Sequence, residues 1–204
     1  AYLSRGDVAA ASEIAGRVIA DYPRAEYGYL LQALIHEQRR EWPEAEANLE
    51  RGIDACELDL NLQLKLANVY AVQRKDQQAL QVYDKILQSR PQNVPAIFGK
   101  GMISDVQGNK RTAYELYQTV LALDGEYAPA LNNLAYLYVD LYGDPEEALR
   151  LAIKAFSIEP ENPDFLDTLG YTLLKKGQYE KALLFLQKAA RLKPHEATIQ
   201  AHLS

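Results

Sequence analysis

A small residue that returns at a fixed interval constrains this chain more than any other feature. Alanine stands at Ala11, Ala45, Ala79, Ala113, Ala148 and Ala182, at intervals of 34, 34, 34, 35 and 34 residues, and one residue inserted near Gly143 accounts for the exception. A period of this size means that one supersecondary unit is repeated, each copy burying its apolar face on its neighbours. A second small residue precedes these alanines by twelve positions, or by thirteen across the insertion: Ala33, Ala67, Gly101, Ala135 and Gly170. Proline follows them by twelve, at Pro23, Pro91, Pro160 and Pro194, with Glu57 and Gly125 in the two remaining slots.

Between these landmarks the apolar residues keep helical spacing, as in Leu166, Leu169, Gly170 and Leu173, then Ala182, Phe185, Leu186 and Ala189. Each unit therefore reads as a helix, a short turn and a second helix. The prolines end the second helices, because proline lacks the amide donor and clashes with the preceding turn. Gly108-Asn109, Gly143-Asp144 and Gly177-Gln178 mark the reversals between antiparallel helices. Small side chains are needed where two helices cross most closely, since anything beyond a methyl group wedges them apart.

These landmarks resemble the tetratricopeptide repeat. Leu166, Leu169, Gly170, Tyr171 and Leu173, followed by Gly177, Tyr179, Ala182 and Pro194, make an almost complete consensus unit, with Leu166 where that family usually has tryptophan. The resemblance implies an all-α fold, a right-handed superhelical solenoid of antiparallel helix-turn-helix hairpins in a single array. It places the second helix of a unit in 1–25, complete repeats at 26–59, 60–93, 94–127, 128–162 and 163–196, and the start of another at 197–204. Both ends fall inside a repeat, so a fragment of a longer protein is expected. The run from Asn132 to Tyr138, with Asp167 to Tyr171, His202 and Leu203, also resembles repeats of bacterial envelope lipoproteins associated with exopolysaccharide and protein sorting.

Charge and composition exclude some functions. Lys and Arg total 22 against 28 Asp and Glu, a net charge of -6 that repels a phosphate backbone, so no nucleic-acid partner is expected. No stretch approaches the roughly 20 apolar residues that cross a bilayer, so no membrane insertion by this segment is expected. The single cysteine, Cys56, has no partner for a disulfide or a CxxC metal site and leaves the compartment open, periplasm and cytoplasm alike. Charge is uneven: residues 26–59 carry three basic and nine acidic side chains, whereas 60–93 carry five and two. Such charges are expected on solvated outer faces.

No convergent catalytic set is legible, and neither a cofactor nor a metal is expected. Gly99-Lys100-Gly101 lacks the third glycine of a phosphate loop, which Ser104 replaces, and lies within a helix rather than after a strand. His36, His195 and His202 have neither HxxxH nor HExxH spacing. Glu44 and Glu46, like Glu146 and Glu147, fall at starts of second helices, where negative charge complements the helix dipole. Tyr83, Tyr114 and Tyr117 have packing spacing on second helices.

In the family that the repeats resemble, the first helices line a concave face that binds proteins or peptides. Carried over position by position, this implies a groove with an apolar and aromatic stripe of Leu64, Phe98, Met102, Tyr136 and Tyr171. The amides of Asn68, Asn132 and Asn133 lie alongside and can pair with the backbone of an extended peptide. Asp105, Asp140, Asp164, Asp167 and Thr168 fall on the same mapped face. Burial rather than fixed charge is expected to hold the ligand. Chaperone-binding members grip a terminal carboxylate with a Lys, Asn and Arg set, of which only Asn68 matches, so a heat-shock chaperone tail is not the expected ligand. The expected role is a non-catalytic scaffold for an unidentified protein or peptide. The alternative is a structural spacer or self-assembly element of a larger, cell-envelope protein, associating through its open repeat ends.

Overall fold

The computed structural model describes residues 8–203. Residues 1–7, within the expected leading helix, and residue 204, within the expected further repeat, lie outside the described residues. The described chain forms α1 (Val8–Asp21), α2 (Glu26–Gln38), α3 (Trp42–Ala55), α4 (Leu60–Val72), α5 (Asp76–Ser89) and α6 (Val94–Val106). It continues with α7 (Lys110–Leu123), α8 (Ala128–Leu137), α9 (Pro145–Ile158), α10 (Pro163–Lys175), α11 (Tyr179–Leu192) and α12 (Ala197–Leu203). From α2 to α7 the lengths alternate between 13 and 14 residues. The chain divides within α6 into two compact units, residues 1–103 and 104–204.

The reversal after each first helix turns on one residue of positive φ. The residue there is left-handed, with φ of 58° at Arg40, 62° at Arg74, 81° at Gly108, 59° at Gly143 and 72° at Gly177. At Gly177 its amide bonds the Leu174 carbonyl and the next amide, of Gln178, bonds Leu173; Arg74 and Lys75 repeat this on Ala71 and Tyr70. This pairing satisfies carbonyls that the helix end would orphan. The glycine breakers were legible; that arginine takes the same conformation in two repeats was not, because propensity argues against it.

Second helices end in a different way. Where proline or Gly125 fills the slot, the helix stops on a residue that leaves helical geometry with a negative φ, of -138° at Arg90, -139° at Asp124, -131° at Glu159 and -130° at Lys193. Glu57 departs from this pattern: Glu57 and Leu58 are both left-handed, with φ of 54° and 65°, a conformation closed to proline. The inserted residue is absorbed within the first helix. After Leu137 the chain widens into a π-helical turn, Tyr138–Tyr142, before Gly143, and such a turn accommodates one extra residue without breaking the helix.

In the first unit α1 to α5 pack in sequence, and α2 also touches α4; in the second α7 to α12 do the same, with α8 on α10 and α10 on α12. First helices thus form a layer of their own in each unit. Tyr29, Leu49, Leu62, Val69, Tyr83 and Ile86 fill the first core. In the second unit Tyr117, Val120, Leu137, Leu151, Leu166 and Leu186 are buried. The small residues sit at the crossings as expected: Ala33, Ala45, Ala67, Ala79, Ala113, Ala135 and Ala148 have no exposed surface. A methyl on Gly170 would stand 2.7 Å from Leu186, and one on Gly99 would stand 2.3 Å from the Tyr83 ring, inside any tolerable contact.

Candidate functional site

The first-helix positions of the first unit have one side chain turned to the core and others to solvent. Leu64, on α4, is half-buried against the hydrophobic cluster of that unit. Asn68, one turn on, is exposed, and its Oδ1 accepts a 2.7 Å bond from the hydroxyl of Tyr83, which is otherwise buried. Its amide is therefore partly engaged within its own hairpin. Phe98 is half-buried on α6, and Met102 is 43% exposed.

In the second unit the predicted residues come together. Asn132, Asn133 and Tyr136, all on α8, line a cavity of about 320 Å³ with Thr168 of α10. Tyr136 and Tyr171 stack with ring centroids 5.5 Å apart and planes at 24°. Asn133 Nδ2 donates to the Tyr117 hydroxyl at 3.2 Å, while Asn132 Nδ2 reaches Asn133 Oδ1 only at 3.4 Å. Asn132 is 8% exposed, and its Oδ1 is buried with no hydrogen-bond partner. This amide belongs to the floor of the site rather than its rim.

Sequence reasoning missed what the stack rests on. His202, on α12, lies over Tyr171 with centroids 4.1 Å apart and planes at 16°. Its Nδ1 is 3.0 Å from both oxygens of the buried Asp167 carboxylate. A histidine 35 residues from its carboxylate carries no local motif; only the repeat period, which sets α12 beside α10, predicts the meeting. The Tyr171 hydroxyl donates to Asp140 Oδ1 at 3.0 Å, so the π-helical turn presents the carboxylate that fixes this ring. Burial first, then that hydrogen bond and charge, push the Tyr171 hydroxyl up to about 12. Tyr136 is likewise raised to about 12, by burial and then the charge of Asp140.

The cavity lining also carries Asp105, Asp164, Asp167 and Glu196. The first three were on the mapped face; Glu196, which precedes α12, was not. His36 bonds Glu41 at 2.8 Å, and Tyr83 and Tyr117 are core residues. Among the described residues no group of three or more His, Cys, Asp or Glu is placed to hold a metal ion, and no helix is long and apolar enough to cross a membrane.

Paired helices of near-constant length, with small residues at their crossings and left-handed reversals, define a helical-repeat protein. Descriptions of the tetratricopeptide repeat match residues 1–59, 30–94 and 141–203. The chain belongs to the tetratricopeptide repeat family, whose members are generally protein-interaction scaffolds. It is 28% identical over 148 residues to a TPR repeat-containing protein of Pseudomonas aeruginosa, covering 71% of this chain and 25% of that relative, so it spans about a quarter of the relative's length. Its fold is similar to that of PilW, described as a widely conserved type IV pilus biogenesis factor, with a TM-score of 0.73 and 19% identity over 100% of this chain and 94% of that one. It is also similar to YrrB, a TPR protein with an unusual peptide-binding site, with a TM-score of 0.54 and 19% identity over 93% and 97% of the two chains. At these identities the likeness to the solved structures is one of fold.

Proposed function

We propose that this array, read as the single run of repeats set out from the sequence, is a non-catalytic scaffold that holds a segment of a partner protein against its first helices. Leu64, Asn68, Phe98 and Met102 make the contacts in the first unit, and Asn132, Asn133, Tyr136 and Tyr171 in the second. The observation that carries the reading is the half-buried Tyr136–Tyr171 stack beside a cavity floored by asparagine amides. Rigid aromatic rings flanked by amides suit a peptide: the rings supply buried area at low entropic cost, and the amides can pair with any backbone. YrrB, of similar fold, has a peptide-binding site, which supports the class of ligand and not the residues.

Truncating an aromatic anchor tests this. Phe98→Ala and Tyr136→Ala should each weaken a partner captured by the chain by about 1–3 kcal/mol, measured by isothermal titration, with helical content unchanged by circular dichroism. A partner that ignores both substitutions places the site on the second-helix faces. The alternative role, a spacer or self-assembly element, predicts a mass that rises reversibly with concentration in light scattering; the scaffold reading predicts a constant mass.

A further inference from the structure

We infer that α3 is an opening element of the first unit, a helix that unfolds and refolds locally ahead of the second helices that follow it. Strain brackets it. Arg40, two residues before α3, is left-handed with φ of 58°, and Glu57 and Leu58, just after it, have φ of 54° and 65°. In that region an L side chain sets its Cβ against the following carbonyl oxygen, a cost that glycine avoids. The later second helices are better placed. Arg74 alone, among the described residues, stands in this conformation at an end of α5, and the turns before α7, α9 and α11 use Gly108, Gly143 and Gly177.

The face that α3 buries is also poor. It covers Ala45, Asn48, Leu49 and Gly52, an amide and a helix-interior glycine among them, whereas α5, α7, α9 and α11 bury only apolar side chains. Gly52 lowers the intrinsic stability of the helix, yet a methyl there would stand 2.7 Å from the Tyr29 ring, so packing retains it. Asn48 donates to the Tyr29 carbonyl at 2.7 Å, a bond that water replaces once the helix lifts. Lys75 pairs with Glu46 at 2.5 Å, but the lysine is 37% exposed and the pair holds weakly. The next helix, α4, lies between Leu58 and Arg74, yet it buries Leu62, Leu66, Val69 and Tyr70 and is capped by Asp59. It therefore stays. Because α2 touches α4 directly, that contact survives when α3 leaves, and the opening loosens the first unit without dismantling its first-helix layer.

The test is native-state hydrogen exchange of the 204-residue chain, followed at single backbone amides by NMR. Amides in the middle of α3 should be protected about ten-fold less, or lower still, than those in the middle of α5. Leu58 is 69% exposed, so Leu58→Gly loses little packing while it relieves a left-handed residue, and it should raise α3 protection about three-fold. Leu58→Ala removes all of that side chain but its methyl and keeps the strain, so it should leave α3 protection unchanged. Circular dichroism should show both variants as helical as the wild type. Protection of α3 equal to that of α5, no gain from Leu58→Gly, or an equal gain from Leu58→Ala would each overturn the inference.

Discussion

At the scale of single residues, the repeat is written in positions whose side chains matter by their size or their backbone freedom. Arg74 and Gly177 occupy the same left-handed reversal, with φ of 62° and 72°, yet only glycine adopts it without cost. Nothing stands within 4 Å of a methyl built on Gly177, so Gly177→Ala isolates the conformational term and should destabilise by about 1–2 kcal/mol. Arg74→Gly should stabilise by about 1 kcal/mol. The ion pair it removes, Arg74 with Asp76, is long at 3.5 Å and its arginine is 60% exposed, so it is worth little. Urea midpoints of the two variants should move in opposite directions; movement in the same direction would contradict the shared geometry.

Elements decide how the second unit's site is held. The π-helical turn after α8 takes up the residue that makes this repeat 35 long, and Asp140 within it accepts the Tyr171 hydroxyl. Asp140→Asn removes a negative charge from a hydroxyl that it helps raise to about 12, so absorbance titration should show Tyr171 ionising at lower pH, though still above the ordinary value because burial remains. The sign for stability follows. A tyrosine whose folded value exceeds the unfolded value of about 10 adds stability below pH 10 and loses it as pH rises through about 12. The wild type should therefore unfold more readily across that window, and the variant at its lower edge. An unshifted Tyr171 titration would mean that Asp140 has no electrostatic hold on the ring.

For the whole molecule, stability is a sum of neighbour interfaces rather than of one central core, and that shapes how damage spreads. Ala182→Leu, at a crossing 1% exposed in the second unit, should cost about 1–3 kcal/mol by overpacking. Trp42, the one tryptophan, lies on α3 in the first unit. Its fluorescence reports that unit, while circular dichroism reports every helix. In urea the circular dichroism midpoint of the variant should fall further than the fluorescence midpoint. Identical shifts would show a single cooperative block in place of additive repeats.

The sequence by itself determined the period, the helix pairs and their crossings. Each of these depends on contacts within about one repeat, where side-chain size and apolar spacing act directly. The family resemblance, carried over position by position, implied the first-helix face, including Asn132, Asn133, Tyr136 and Tyr171. Only the tertiary structure decided what those residues do to one another. It alone showed that the extra residue widens α8 and brings Asp140 to Tyr171, that His202 stacks there over Asp167, and that Asn132 is buried without a donor. These meetings join side chains from different helices. Their geometry depends on ångström-level helix placement, which residue identity and spacing do not encode singly.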